Sequence, residues 1–334
     1  LNKSLLLILI GLIHLAPANG QYKKYSYFAD KMGSPLTITI GTKDGHIDSV
    51  QSTQIAKEAL QLIDSLNHIL SDYDSTSEIS IINQNAGIRS MPISPILEEI
   101  LLVAQKAYQQ TKGAYNIAIG PLSVLWRNAR KSKNFPTKKQ IQIAQNQIAF
   151  DHIIIDSVFH RIYLPNRAMR LDLGSLGKGF VAQKALNHLR SKGLEYAMID
   201  AGGKIVCLAP VNASWSIGIN EIRDKNKTIK STLRLHNEAI ATSGDVYQFY
   251  IHEGHRYSHI INPKSGYGIE IPKNVTVIAK DGVTADWLST ACSVLSVKEA
   301  LQLVEINKAH ILIAIQKDKT IHYYKSKGFD AFLN

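Results

Sequence analysis

Apolar and polar residues alternate along "SPLTITI", from Ser34, with the two-residue period of a half-buried strand. The period then lengthens: "QIAKEALQLIDSLNHILSDY" repeats its apolar positions every three or four residues, which predicts an amphipathic helix. A strand followed by a helix therefore opens the fold. The polar run "DSTSEISIINQNAG" reads as a turn region, and Pro95 starts a second helix, "PILEEILLVAQKAYQQTKG", which Gly113 stops. From Arg127 to Gln147 the chain is basic and rich in Asn and Gln, a surface excursion with a short helix after Pro136. Short strands follow at "HIIID" and "RIYL".

The second half begins with "MRLDLGSLGKGFVAQKAL", residues 169–186, which reads as a strand, a glycine-rich turn and an amphipathic helix. Strands are expected at "YAMID", "AGGKIVCLA", "WSIGI", "STLRL" and "NVTVIA", with helices from Ala285 and near Val297. A strand pair, "HILIAI" and "TIHYY", closes the pattern. Strands and helices interleave with no repeat, low-complexity segment or long linker. The fold class expected is α/β, of the α+β type: a single domain with two lobes.

Composition narrows the setting. The 334 residues are 45% hydrophobic and 19% charged, enough to bury a large core and too apolar for a disordered chain. Residues 1–20, "LNKSLLLILIGLIHLAPANG", combine an early lysine, an apolar run and a small-residue tail, and read as a secretory signal peptide cut after Ala18 or Gly20. An uncleaved anchor is the alternative, although the apolar run is shorter than the roughly 20 residues of a spanning helix. The working domain is then 21–334, exported to the periplasm. The net charge of +11 favours anionic partners. Its lysines are scattered and no nucleic-acid motif frames them, so a membrane surface or a phosphorylated ligand suits the charge better than nucleic acid. Cys207 and Cys292 are expected to lie free in the core, and no cysteine follows the signal to carry a lipid.

Several short constellations carry candidate chemistry. "DLGSLGKG" can cradle phosphate on turn amides and a helix N-terminus, with Lys178 as a cationic supplement; Asp172 reads equally as a helix cap. "IDAGGK" is a second glycine pair after a strand, a ligand approach or a tight turn. In "AIATSGDVYQFY", Thr242, Ser243 and Asp245 surround Gly244, as a polar site or a hairpin. "RYSHIINPKSGYG" sets His259 in an apolar strand, either as a core histidine or as a general acid or base. "VTADWLSTAC" puts Asp286 and Thr290 four residues apart on one helical face, oxygen donors of the kind that hold magnesium, with helix capping by Thr284 or Asp286 as the alternative.

In this order, "KMGSPLTITI", "IDSLNHILSDYDSTSEISIIN", "GAYNIAIGPLSVLW", "LDLGSLGKGF", "IDAGGK", "ATSGD", "RYSHIINPKSG" and "TADWLSTA" resemble the bacterial FAD:protein FMN transferase family, also called the ApbE or thiamine-biosynthesis lipoprotein family. The resemblance covers nearly all of 21–334. It implies magnesium-dependent transfer of FMN from FAD to a threonine or serine hydroxyl of a target flavoprotein, with release of AMP. By motif position it implies metal ligands at Ser175, Asp286 and Thr290. FAD contacts are implied at Met32, Tyr73, Ala114, Tyr115, Asn116, Asp172, Lys178 and Ile261, and His259 and Asp286 are the implied catalytic residues. His259 is then the first candidate to accept the acceptor's proton, ahead of Asp245 or Asp286. The family's targets suggest flavoprotein subunits of membrane redox complexes, of the sodium-pumping quinone reductase or Rnf type. Hydrolysis of FAD to FMN and AMP is a second enzymatic reading, and a non-catalytic flavin-binding or assembly module a third. The chain departs from the family where Asn116 and Asn262 stand in place of frequent Asp, and where Lys204 replaces an acid or Asn and makes the pocket more positive.

Overall fold

In the computed structural model, the described residues are 22–43, 46–220, 230–244, 249–317 and 320–334. The expected signal, 1–20, and Asp245 lie outside them. Met32 and Gly33 both take positive φ (52° and 67°), the left-handed pair of a two-residue hairpin turn, and join β1 (Lys23–Lys31) to β2 (Ser34–Thr42). "SPLTITI" is therefore the second strand, not the first. In β1 only Tyr27 is buried, too little apolar content to announce a strand. Asp48 and Gln51 form a capping box that starts α1 (Ser49–Leu70), whose Ala56, Ala59, Ile63, Leu66 and Leu70 face the core.

The polar run after α1 contains a helix. Ser77 accepts from the Ser80 N–H and caps α2 (Glu78–Gln84), which buries Ile79 and Ile82; three isoleucines within four residues, one of them exposed, were too short a run to show a period. β3 (Met91–Pro92) and α3 (Pro95–Gln110) follow, then α4 (Gly120–Ser132) and α5 (Lys138–Gln145). The expected surface excursion, Arg127–Gln147, is mostly exposed and its short helix after Pro136 is α5; the unexpected element is α4, which begins ahead of it and buries Leu122, Trp126 and Ala129. β4 (Ile154–Asp156) and β5 (Arg161–Tyr163) make a small sheet with β3.

The expected strand at 169–173 forms only a single bridge, Ile119 to Arg170. Its backbone bonds are shared between main chain and a side-chain amide: the Gly120 N–H donates to the Arg170 carbonyl and the Asp172 N–H to the Ile117 carbonyl, while Asn83 donates to the Leu171 carbonyl at 3.0 Å and accepts from the Leu171 N–H at 2.7 Å. The helix expected next is α6 (Gly177–Ser191). Then come β6 (Tyr196–Ala201), β7 (Lys204–Leu208), β8 (Trp215–Asn220), β9 (Lys230–Leu235), β10 (Ala239–Gly244), β11 (Phe249–His252), β12 (His255–Ser258) and β13 (Lys273–Ala279). The chain closes with α7 (Gly282–Val294), α8 (Val297–Ile306), β14 (His310–Lys317) and β15 (Thr320–Lys325).

One sheet organises these elements. Its order is β1-β2-β6-β7-β10-β13-β14-β15, antiparallel at every step, which with the packed helices makes the fold α+β. One face carries the main core against α1, α6 and α7; the other is covered by the β8–β9 hairpin through Trp215, Ile217 and Leu233. A third cluster joins Leu122, Trp126, Ile141 and Ile261. Cys207 and Cys292 are buried and free. The hairpin alternative at Gly244 is not seen among the described residues, where β10 pairs with β7 and β13 while β11 pairs with β12. His259 lies in the bend just past β12, not inside a strand.

Candidate active site

The N-terminus of α6 has Leu176 at its cap position and no side-chain cap of its own. Asp286, more than a hundred residues later on α7, supplies the missing acceptor: its Oδ2 accepts from the Gly179 N–H at 2.9 Å. This contact depends on glycine at the helix crossing. A Cβ on Gly179 would lie 2.1 Å from the Gly282 carbonyl oxygen and 2.6 Å from the Asp286 Cβ, and one on Gly282 would lie 2.5 Å from the Gly179 oxygen. Gly177, by contrast, faces open space. Asp286 therefore does not cap its own helix; Asp281 does that, accepting from the Thr284 N–H at 2.8 Å.

The second carboxylate oxygen of Asp286, Oδ1, faces a cation. Lys204 Nζ is 3.3 Å away and also donates to the Thr242 carbonyl at 2.7 Å. Lys204 opens β7 directly after Gly202 and Gly203, whose φ of 64° and 84° mark "IDAGGK" as a hairpin turn. Lys178 is the second ammonium, held by the Ser34 hydroxyl at 3.0 Å beside the Met32–Gly33 turn. Asp286 is 1% exposed. Burial raises its pKa, against the pull of Lys204 and the Gly179 N–H. Burial lowers the pKa of Lys178, and the like charge of Lys204 adds to that. Two ammoniums around one buried carboxylate leave a positive excess, suited to a phosphate-bearing ligand. Thr290 shares the Asp286 face of α7 one turn on and is half-buried.

The glycine-rich turn meets this group through Tyr115. Ser175 donates to the Tyr115 hydroxyl at 2.9 Å, and the Tyr115 ring packs edge-on to Trp287, 5.9 Å between centroids. Burial pushes the Tyr115 phenol well above its ordinary value, so it stays protonated. Ala114 is buried beside it. Asn116 is held by the main chain at both ends of its amide, donating to Ile148 O at 2.9 Å and accepting from the Ala118 N–H at 2.8 Å. Asn262 likewise accepts from the Lys264 N–H, a turn contact.

Asp172 leads outward. One of its oxygens accepts from the Gly174 N–H at 2.9 Å, a turn contact rather than a helix cap; the other lies 3.8 Å from Arg127. Arg127 pairs with Asp72 at 3.0 Å and sits 4.0 Å over the Tyr73 ring, which is 78% exposed. Arg170 completes the group by donating to the Asp72 carbonyl at 3.0 Å. Burial and the neighbouring Asp172 raise the Asp72 pKa, while Arg127 opposes. Sequence reasoning missed Arg127, Asp72 and Ser34. Arg127 directly follows the buried Trp126 on α4, a position that the apolar stripe of that helix would have exposed. Trp126 itself donates to the Gly266 carbonyl at 2.8 Å and packs with Ile261, so α4 ties the Asp172 group to the loop that begins at the half-buried His259. Met32 packs against the main core from the first hairpin turn.

Among the described residues no group of three or more His, Cys, Asp or Glu is placed to hold a metal. The oxygen set available is one carboxylate with nearby hydroxyls, and Asp286 already has a cation against its Oδ1. Such a set fits a hard divalent ion that keeps its remaining positions for water and ligand phosphate.

Residues 32–314 match the model of the ApbE family. The FAD:protein FMN transferase of Klebsiella pneumoniae is 27% identical over 299 residues, 86% of this chain and 91% of that protein. That of Vibrio cholerae is 26% identical over 334 residues, 98% of each. In solved structures, the flavin transferase ApbE from Vibrio cholerae superposes with a TM-score of 0.82 at 26% identity, covering 93% of this chain and all of that one. The apo flavinyl transferase ApbE of Pseudomonas stutzeri gives 0.81 at 25%, covering 93% and 97%. With the fold, the motif order and the family match running together through both halves of the sheet, this chain belongs to the ApbE family.

Proposed function

We propose that this flavin transferase moves the FMN half of FAD to a threonine or serine hydroxyl of a target flavoprotein, releasing AMP, with magnesium held by Asp286, Thr290 and Ser175. The observation that carries the reading is Asp286, a buried carboxylate at a helix N-terminus between two lysines, in a chain similar over its length to FAD:protein FMN transferases. The acceptor oxygen bonds to the FMN phosphorus as the bond from that phosphorus to the bridging oxygen breaks, and AMP leaves with that oxygen. When bound, the metal neutralises charge on the pyrophosphate. Lys178 and Lys204 bind phosphate oxygens, and the α6 N-terminus orients them. His259 takes the hydroxyl proton. Tyr73, backed by Arg127, stacks on a ring of FAD at the open side; Met32, Ala114, Tyr115, Asn116, Asp172 and Ile261 complete the flavin and adenine contacts.

The protein works in the periplasm, near the inner membrane, on flavoprotein subunits of redox complexes of the sodium-pumping quinone reductase or Rnf type. The apolar run near the N-terminus and the +11 charge support that placement. Incubating the chain with FAD, magnesium and such a subunit is expected to give an acceptor heavier by one FMN, lost with chelator and on mutation of the acceptor threonine. Steady release of FMN and AMP without an adduct would replace transfer by hydrolysis, and bound, unchanged FAD would leave a carrier.

A further inference from the structure

A carboxylate that is 1% exposed needs a partner for each oxygen, and Asp286 has both: the Gly179 N–H on Oδ2 and the Lys204 ammonium on Oδ1. Lys204 is placed firmly. It is fixed at the start of β7 by a two-glycine turn, its side chain is 14% exposed, and its ammonium is tied at 2.7 Å to the Thr242 carbonyl on the neighbouring strand. A divalent ion bonded to Oδ1 at about 2.1 Å would meet that ammonium at a separation where two cations repel strongly. The ammonium must therefore leave Oδ1 before the metal arrives. Its flexible four-carbon stem allows this, and the anion that can receive it is a phosphate of the substrate.

We propose that Lys204 is a tethered cation that competes with the divalent metal for Asp286, so that metal binds weakly to the empty protein and tightly once a pyrophosphate-bearing substrate has drawn Lys204 away. The inference rests on the reading of Asp286 as a metal ligand. Substrate and metal then bind with positive coupling, and by linkage each strengthens the other by the same factor. Lys178 does not substitute for Lys204, because its ammonium is bonded to Ser34 on the first hairpin.

The test is calorimetric titration of the full chain with Mn2+, with and without saturating FAD at low temperature, on short timescales and without acceptor. In the native chain FAD is expected to tighten Mn2+ by tenfold or more. Lys204→Gln keeps a donor for the Thr242 carbonyl but no charge; it is expected to bind Mn2+ alone at least tenfold more tightly and to lose most of the coupling to FAD. Lys204→Arg, which keeps the charge, is expected to behave like the native chain and serves as the second variant if the glutamine form does not fold. Equal Mn2+ affinity in Lys204→Gln and the native chain, with binding abolished in Asp286→Asn, would overturn the competition and keep the metal site. If Lys204→Gln does not fold, Mn2+ affinity in the native and Lys204→Arg chains that FAD leaves unchanged would overturn it as well. Unchanged Mn2+ binding in Asp286→Asn would overturn the metal ligand itself.

Discussion

Asp286 uses its two oxygens for two tasks, a helix terminus and a cation, and its removal should register in both. Asp286→Ala leaves the Gly179 N–H without an acceptor and Lys204 without a counter-charge, and is expected to cost about 3 kcal/mol of stability in urea unfolding as well as abolishing transfer. Arg127→Ala removes the support behind Tyr73 and should raise the KM for FAD about tenfold with kcat changed far less, as read from initial rates. Lys273 gives a pH signature away from the site. Its ammonium is buried against the Cys292 and Leu295 carbonyls at the end of α7, and burial lowers its pKa from 10.5 to about 8. The unfolded chain then holds this proton when the folded one has released it, so this group makes stability rise with pH between about 8 and 10.5. Lys273→Met should remove that rise, measured as the difference between the two urea midpoints across the interval.

At the α6–α7 crossing, two glycines in one short motif have opposite roles. Gly179→Ala forces a side chain into the Gly282 carbonyl and should destabilise by about 2 kcal/mol, whereas Gly177→Ala, facing open space in the first turn, should stabilise by about 0.5 kcal/mol; thermal unfolding of both variants checks the contrast. The sequence cannot separate these glycines, because the atom that one of them avoids lies a hundred residues away. The same reason explains most of what was and was not legible. Elements with their own period or cap, such as α1, α3 and most strands of the main sheet, were visible, and so was the Asp286–Thr290 spacing; β1, with Tyr27 as its one buried residue, was not. α2 had too short a pattern, α4 was masked by its basic residues, and 169–173 has strand-like apolar alternation whose hydrogen bonds are divided between Asn83, at Leu171, and the main chain of Ile117 and Gly120. Arg127 and Asp72 gain meaning only from a contact made in three dimensions.

Across the whole molecule, the central sheet belongs to more than one core. Trp287 sits in the cluster on the helical face, Trp215 in the cluster beneath the β8–β9 hairpin, and Trp126 in the cluster under α4. Because β6, β7, β10 and β13 contribute side chains to both faces, the two clusters on the sheet cannot come apart independently. Variants that keep a single tryptophan, the others replaced by Phe, should therefore report coincident fluorescence midpoints for Trp287 and Trp215 in denaturant; separate midpoints would show two independent units. The strand order has a further consequence for how the chain comes to be folded. β2 finds its inner neighbour in β6, Ile38 opposite Ile199, so the first hairpin emerges from the ribosome long before the strand that completes its edge. Until Ala201 has been synthesised, β2 presents an unpaired backbone row, and closing so long a loop delays the pairing further. A nascent chain halted anywhere before that residue is a sticky one, and this interval is when a holding chaperone has the most to protect.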